Sequence, residues 1–551
     1  MRSRYVPIVL ALGLLTSCVS IPADGPVQPV PQSDINSQSA TRFTPAGPQT
    51  GATRTDIVHG FVESMLAYPE SLAAANQFLT PEAARTWDPQ ASTWVYSSAR
   101  VVTSASGDNF RIELNVSAHL DAQGRLTKRK QRKHLPIQLV QHDGEWRISD
   151  LPSGVLVSDD FMASHMRPFE LFFFDESGSR LVSEPVHAIV GEKLATTLIQ
   201  RLAVGPAEAD RSWLRTFVPS ARTQASVPLI DNRAEVEIGV AIGDTPVDDT
   251  DRMAAQIIAT LSHAPGVEDV RITARDGLVV DTSDSDQEVQ TWNRFGLGGS
   301  RRHAHVVANN RVWRIDSPEP RPAPGFLAKD TLGARTVALS RERLAAIWPD
   351  RAISATLEGG DPVDLAGQKF LGPVVDVVDT AWFIDHDANE SRIRVVDAHG
   401  TRRLSLPKRL TIRSFGISPD GSRLAVSDAA GEIFVARIVR KNGKVRKLSR
   451  LDRIDVEERG IGEVQWLTAS TLLFTAKDAP RQLREVRIDG SRSVTSWSTL
   501  GRWLPDVVVK RLVVSPGAEP LVTVLDSKNR LWIWNSSRWE RVAINKVNGL
   551  S

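Results

Sequence analysis

The chain has 551 residues, a length that predicts three or four domains of about 150 residues each. Apolar side chains make up 41% of it and charged side chains 24%, which excludes a disordered chain and a membrane protein with many spans. The 67 basic and 65 acidic residues leave a formal net charge of +2, which excludes a globally basic nucleic-acid binder. A single cysteine excludes an intrachain disulfide framework and a thiolate zinc cluster.

The first 17 residues have the pattern of an export signal. Arg2 and Arg4 precede an apolar run from Tyr5 to Leu15, which is shorter than the ~20 residues that a membrane-spanning helix needs. We therefore predict that residues 1–17 are a signal peptide that is removed. Removing its two arginines lowers the basic residues from 67 to 65, so the mature chain is formally neutral.

The end of this segment, Leu15-Thr16-Ser17-Cys18, resembles a bacterial lipobox. The resemblance implies that a peptidase recognises Leu15, Thr16 and Ser17, and that Cys18 carries a diacylglycerol thioether and an N-acyl chain. At ~0.8 kcal/mol per buried methylene, two or more acyl chains give stable anchoring. The alternative is an ordinary cleaved signal with a chance cysteine. We expect no cofactor besides the covalent lipid.

Residues 18–52 then form the predicted tether. They are rich in Pro, Ser, Gln, Thr and Gly and contain one aromatic residue, Phe43. Such a composition cannot bury enough apolar surface to fold. We expect a flexible segment that holds the folded body off the extracytoplasmic face of the cell membrane.

Residues 53–160 predict an α+β module. Apolar residues recur every three or four positions in a helix that starts at Asp56. A second helix is predicted over 72–79, and Thr80 is a typical N-cap for a third.

Beyond Trp94 the apolar period changes to two, which predicts strands over 110–116, 135–140 and 146–150 in a curved antiparallel sheet. Helices followed by such a sheet resemble the cone fold of the nuclear-transport-factor-like superfamily. That fold carries enzymes and inert adaptors alike, so it names no function.

Residues 161–285 predict a second α+β module. Its expected elements are a buried strand at 169–174, a helix over 194–202, strands near 223–228 and 234–240, a helix over 253–261 and a strand near 266–272. This order resembles the GerMN domain of extracytoplasmic envelope and spore proteins, and the segment 259–272 is the most specific part of the resemblance.

Residues 290–551 predict an all-β region. An apolar strand, a turn and a second apolar strand recur, as at 336–347, 415–426, 464–474 and 512–524. Repeats of ~35–50 residues are typical of a β-propeller, here of about five or six blades. The Trp-Asp dipeptide of WD repeats is absent, so the region resembles TolB-type propellers. An irregular β-sandwich is the alternative.

The whole order of segments resembles the LpqB-type lipoproteins of actinobacteria. This resemblance implies an accessory protein that binds the extracytoplasmic region of an MtrB-like sensor histidine kinase, in a two-component system that controls the cell envelope and division. The implied protein is no enzyme. An envelope ligand- or glycan-binding protein that uses the propeller channel is the alternative, and an uncharacterised hydrolase that uses the propeller loops is a third.

Two acidic clusters have the composition of a metal site. Asp385, His386, Asp387 and Glu390 lie where a polar hairpin loop is predicted, and residues 281–286 lack the glycine and the glutamate of an EF-hand. We predict no metal site and no catalytic residue, because no nucleophile elbow, phosphate-binding glycine loop or zinc-protease motif occurs.

The strongest local charge feature is a basic run over 125–134, and its candidate contacts for an anionic surface are Lys128, Arg129, Lys130, Arg132 and Lys133. An exported protein meets no nucleic acid. The run is therefore a solvated hairpin, or it faces anionic lipid, an anionic polymer or an acidic partner, each close cation then contributing ~1 kcal/mol.

Overall fold

The computed structural model describes residues 45–551 except 69–70, 104–109, 220–225, 244, 285–293, 297–302, 325–329, 358–360, 368, 388–389, 492–503, 505–506, 518–519 and 535–537. The predicted signal peptide, the lipobox with Cys18, and the tether as far as residue 44 lie outside the described residues. Residues 45–551 form one compact unit.

The first module, called the cone module below, has helices followed by a sheet, as predicted. Its elements are α1 (Arg54–Ser64), α2 (Ala73–Gln77), α3 (Pro81–Thr86), β1 (Ser92–Thr103), β2 (Phe110–Asp121), β3 (Leu126–His142), β4 (Glu145–Asp150) and β5 (Val155–Ser158). The first helix begins two residues before the predicted start. Thr53 caps it and Asp56 occupies the third position, where its carboxylate accepts a hydrogen bond from the Thr53 amide at 3.0 Å.

The sheet of the cone module has the order β4-β3-β2-β1-β5. Its pairs are antiparallel except β5, which runs parallel to β1 from Val155 to Ser158, so the prediction of an entirely antiparallel sheet is wrong at this edge. The helices fill the concave side with apolar residues such as Phe61 and Met65. The cavity left between them has a volume of about 10 Å³, close to the space that one water molecule needs.

The second module, called the GerMN module below, has three helices and two small sheets. Its elements are α4 (Asp159–His165), β6 (Met166–Asp175), β7 (Leu181–Ile189), α5 (Leu194–Val204), β8 (Leu214–Arg215), β9 (Leu229–Ile230), β10 (Arg233–Ile238), α6 (Val247–Leu261), β11 (Asp269–Ala274) and β12 (Gly277–Asp281). Strand β6 contains the predicted buried strand, and α4 was not predicted. Of the strand predicted near 223–228, residues 223–225 lie outside the described residues, and the described strand here is β9.

The strands of the GerMN module form the sheets β7-β6-β8 and β12-β11-β10-β9. Strands β10 and β11 are parallel, and α6 is the crossover between them. Apolar side chains of α5, α6 and β6 share one core, in which Leu171, Leu198 and Ile257 are almost fully buried. This core gives the module a fold of its own.

The region from residue 303 onward is described as strands and turns. They are β13 (Ala304–Ala308), β14 (Arg311–Ile315), β15 (Arg321–Pro322), β16 (Thr336–Leu339), β17 (Arg343–Ile347), β18 (Arg351–Thr356), β19 (Val363–Ala366), β20 (Phe370–Val375), β21 (Ala381–Asp387), β22 (Glu390–Asp397), β23 (Gly400–Leu404), β24 (Ile412–Ile417), β25 (Arg423–Asp428), β26 (Ile433–Lys441), β27 (Lys444–Ile454), β28 (Ile461–Trp466), β29 (Thr471–Ala476), β30 (Ala479–Arg487), β31 (Val509–Ser515), β32 (Leu521–Asp526), β33 (Leu531–Trp534), β34 (Trp539–Arg541) and β35 (Val547–Leu550).

Within these described residues the strands form six antiparallel sheets in chain order, called sheets one to six. The first strand of each sheet contacts the first strand of the next, and β31 of sheet six contacts β13 of sheet one. The C-terminal strand β35 pairs with β13, which joins the end of the chain to sheet one. The sheets therefore close into a ring, as predicted for a β-propeller.

None of the described helices is both long enough and apolar enough to cross a bilayer.

Truncation of a core residue tests the GerMN core. Leu171 is fully buried in β6, so Leu171→Ala should lower the free energy of unfolding of the full chain by about 2–5 kcal/mol in urea titrations. Leu278→Ala is the matched control, because Leu278 is 55% exposed in the same module and its loss should change stability by less than about 0.5 kcal/mol. Equal effects of the two variants would contradict this packing.

Candidate functional site

The three modules meet at one buried carboxylate, Asp210, which is 1% exposed. It ends the short 3-10 turn Glu208–Asp210 that follows α5 of the GerMN module. Its two oxygens pair with guanidinium groups from both neighbours: Oδ2 with Arg125 of the cone module, and Oδ1 with Arg437 of β26 in the propeller. We call this set of residues the Asp210 junction.

An indole completes the Asp210 junction. The Trp213 Nε1–H donates to Asp210 Oδ1 at 3.1 Å, and the Arg437 guanidinium lies 4.9 Å from the centre of the Trp213 ring. Burial lowers the pKa of Arg437 to about 10, so this guanidinium stays charged at neutral pH. The carboxylate is thus removed from water between two cations and one N–H donor, which is the condition under which a buried charge is tolerated.

A second contact seats β7 of the GerMN module on the propeller. Arg423, 3% exposed at the start of β25, pairs with the Glu184 carboxylate and donates to the Ser183 carbonyl at 2.8 Å. Its other nitrogen lies 3.6 Å from Asp420 in the turn before β25. The sequence predicts this turn, and Gly421 adopts the expected positive φ of 72°.

A third contact lies one sheet further along the ring. Ser470 donates a hydrogen bond to the Glu170 carboxylate of β6, and Arg487 of β30 lies 3.7 Å from the same carboxylate. Next to it His187 Nδ1 faces Asp489 Oδ2 at 3.6 Å, too far for a hydrogen bond, and both side chains are almost fully buried. Burial lowers the pKa of His187 to about 4 and outweighs the opposing attraction of Asp489.

All these propeller residues lie at one end of the strands in sheets four and five. Arg423 pairs with Arg437 across β25 and β26, and Thr471 pairs with Arg487 across β29 and β30. This end is where the first strand of each sheet turns into the second. We call it the docked face, because the GerMN module lies on it.

The cone module approaches the GerMN module through a glycine. The carbonyl of Gly124 accepts the His187 amide at 2.7 Å, and Gly124 has a φ of 80°. A Cβ atom there would lie 2.7 Å from the His187 carbonyl and 2.2 Å from Arg201 Nη1. Only glycine combines this left-handed backbone with so close an approach.

The basic run predicted as a candidate surface lies on strand β3 of the antiparallel hairpin that β2 and β3 form, and its five cations have different surroundings. Lys133 Nζ lies 4.0 Å above the Trp94 ring, and the Lys128 side chain passes close to Gly490 of the propeller. Arg129, Lys130 and Arg132 are exposed. The run is therefore a bulged, exposed strand with three outward cations, and its contact with an anionic surface stays a prediction.

The two acidic clusters occupy ordinary structural positions where they are described. Asp385 pairs with Arg394 at 2.7 Å, and His386 shares a 3.0 Å hydrogen bond with Ser391 across the start of β22. Asp281 ends β12 and accepts from the Ser283 hydroxyl at 2.7 Å. Within the described residues no group of three potential ligands has the geometry of a metal site.

Comparison with known proteins assigns the chain to a family type. A family model described as "Lipoprotein LpqB, N-terminal domain" matches residues 47–163, and one described as "Lipoprotein LpqB beta-propeller domain" matches residues 310–547. Between them, a model described as "Sporulation and spore germination" matches residues 170–279. The chain thus resembles LpqB lipoproteins in both its N-terminal and its C-terminal domain. None of the three descriptions names an enzyme.

Relatives called "Lipoprotein LpqB" match over most of the chain. The protein of Cutibacterium acnes is 24% identical over 89% of this chain and 89% of its own length. That of Mycobacterium bovis is 25% identical over 89% of this chain and 90% of its own length. For the Thermobifida fusca protein, 26% identical, the match spans 61% of this chain and only 58% of the relative.

Removing the charge of Asp210 tests the junction. Asp210→Asn leaves the buried guanidinium groups of Arg125 and Arg437 without a counter-charge, so the free energy of unfolding should fall by about 3–5 kcal/mol. The measurement is chemical unfolding of the full chain. The matched control is Asp452→Asn, whose pair with Arg450 is half exposed and should contribute less than about 1 kcal/mol. A loss no larger than that of the control would contradict the junction.

The buried histidine predicts a pH dependence of stability. His187 binds protons more weakly in the folded chain, with a pKa of about 4, than in the unfolded chain, near 6.5. The unfolded state therefore binds more protons between these values, and stability should be lost as the pH falls from 6.5 to 4. His187→Gln should reduce this slope in pH-resolved unfolding. His305, whose pKa burial lowers to about 3, contributes in the same direction and remains in the variant. An unchanged slope would contradict the burial of His187.

Proposed function

We propose that this chain is a lipid-anchored extracytoplasmic accessory protein that binds and modulates an MtrB-like sensor histidine kinase, in a two-component system that controls the cell envelope and division. Cys18 carries the lipid and residues 18–44 form the tether. The tether is shorter than the expected 18–52, because residues 45–52 belong to the compact unit and the Gly51 amide donates to Glu145 of the cone module. The folded body acts by binding rather than by catalysis.

The observation that carries this proposal is the way in which the modules are joined. The Asp210 junction and the contacts of Glu184 and Glu170 hold the GerMN module against the propeller, and Arg125 ties the cone module to the GerMN module. A body joined in this way presents surfaces from three modules at fixed distances. That property suits a protein that recognises a folded partner.

The relatives' names and the sequence pattern support the anchoring part. Relatives are called lipoproteins, and the only cysteine follows a lipobox-like segment. A lipid anchor with a tether of about 27 residues, 18–44, keeps the body near a membrane-embedded sensor, which raises the effective concentration of a weak contact.

The exposed cations of β3 are the candidate contact. Arg129, Lys130 and Arg132 lie outward on a strand whose neighbour β4 pairs only from Gln138 onward. Exposed cations at such an edge favour an acidic partner surface through attraction that salt weakens.

Crosslinking in intact cells tests the partner. A photo-crosslinking residue at Thr127, which is exposed beside the three cations, should capture a sensor histidine kinase. Arg129→Gln, Lys130→Gln and Arg132→Gln together should lower the captured amount at least fivefold, because they remove the outward charges.

The matched control replaces three exposed cations of the propeller, Arg446, Lys447 and Lys528, by glutamine and should leave the captured amount unchanged. Capture of no kinase would contradict the proposed partner. Equal capture by both triple variants would contradict the role of β3, and recovery of wall glycan instead would favour the envelope ligand-binding alternative.

Substitution of the anchor residue tests the attachment. Cys18→Ala removes the thiol that takes the diacylglycerol, so the chain should be left unprocessed or be released from membranes. The measurement is membrane fractionation with the molecular mass of the product. The variant Ser17→Ala keeps a small residue before Cys18 and should remain processed and membrane-bound. Normal processing and retention of Cys18→Ala would contradict the lipobox.

A further inference from the structure

Sheet three carries a cleft that the proposed function does not use. It has a volume of about 230 Å³ and lies between the start of β22, the end of β23 and the connector 405–410 that leads to β24. The connector is held in place: the amide of Ser391 donates to the Leu410 carbonyl at 3.3 Å, and the amide of Ile412 donates to the Ser391 hydroxyl at 2.8 Å.

The floor of the cleft is apolar and fixed. Leu404 and Leu410 are each 7% exposed and belong to the core that sheets three and four share, and Leu406 packs against the same core. These leucines tie both walls to the folded sheet. The cleft is therefore a built feature of the propeller and not the gap under a loose loop.

The rim of the cleft is strongly cationic. Four basic side chains line it, Arg392, Arg403, Lys408 and Arg409, against a single acid, Glu390. Arg409 is 89% exposed and lies 3.7 Å from Glu390, a distance and exposure at which an ion pair contributes little. The rim thus has three more positive than negative charges in a chain whose overall charge is close to neutral.

Two other arginines of sheet three, outside the rim, are paired with acids. Arg394, opposite Arg403 in the ladder of β22 and β23, pairs with Asp385, and Arg402 pairs with Asp397. Exposed Arg403 has no such acid among the described residues. The Arg403 guanidinium is therefore available for an external counter-charge.

The cleft also lies on the open side of the ring. Strand β24 starts at Ile412, directly after the connector, and ends at Ile417, directly before the turn that carries Asp420 on the docked face. The cleft and the docked face are thus at opposite ends of the same strand. The GerMN module covers the second and leaves the first free.

We infer that this cleft binds a small anion with a phosphate group, such as a glycerol phosphate. The exposed guanidinium groups of Arg403 and Arg409 match the oxygens of a phosphate, because a planar guanidinium donates two parallel hydrogen bonds. Ser405, which is exposed, lines the same space. A volume of about 230 Å³ admits a phosphate with a short polyol.

Isothermal titration of the full chain in detergent at low salt tests the inference. One arm uses glycerol 3-phosphate, a free monoester, and the other uses glycerophosphoglycerol, the diester headgroup of a phospholipid. The wild-type chain should bind at least one of them with a 1:1 stoichiometry, and the tighter ligand identifies the source of the phosphate.

The variant Arg403→Gln with Arg409→Gln removes two exposed cations of the rim and should weaken this binding at least tenfold, with an unchanged melting temperature. The control Lys528→Gln with Arg541→Gln removes two exposed cations from sheet six and should bind like the wild type. Absence of binding of both compounds to the wild-type chain, or equal affinity of the two double variants, would overturn the inference.

Discussion

The buried carboxylate of Asp210 determines how the three modules fit together. Asp210 is 1% exposed, and moving a lone carboxylate out of water costs several kcal/mol unless cations and donors replace the water. Here the replacements come from both other modules, Arg125 from the cone module and Arg437 from the propeller. The GerMN module therefore reaches its fully compensated state only when both neighbours are in place.

The same need for a counter-charge accounts for the other contacts between the GerMN module and the propeller. Glu184 and Glu170 of the GerMN module find Arg423 and Arg487 at the same end of the propeller strands. In the three arginine–carboxylate pairs the GerMN module contributes the carboxylate and the propeller contributes the guanidinium group. Charge complementarity of this kind fixes the orientation of two surfaces more than it adds affinity. The three modules consequently act as one body, with a cationic strand at one place and a cationic cleft at another.

The sequence predicts the parts better than their assembly. The amphipathic stripe of α6, the repeated strands of the propeller and the turn at Ser418–Gly421 are local patterns, and local patterns are readable from one chain. Two errors within modules have local causes as well. The parallel strand β5 is only four residues long, and α4 is a seven-residue helix between two strands, so neither has enough residues to show a period.

The contacts between the modules could not be predicted from the sequence. Asp210 follows Glu208 in a short polar segment and has the composition of any solvated loop, and its partners lie far away along the chain. Arg125 is the first residue of the basic run, and the sequence does not distinguish it from the cations that follow. In the structure its guanidinium pairs with Asp121 and Asp210. Lys133 belongs to the same run, and its ammonium group lies over the Trp94 ring. A run of like charges in sequence conceals several roles, which only the fold separates.

The central claim is that the cone module and the propeller keep a fixed distance from each other in solution. Pulsed electron–electron double resonance measures this distance most directly. One spin label is attached at Gln141→Cys, an exposed position of the cone module, and the other at Arg446→Cys, an exposed position of the propeller, in a full-length chain that carries Cys18→Ser. We expect one narrow distance distribution, which becomes broad when Asp210→Asn is added. A broad distribution in the chain with Asp210 intact would contradict it.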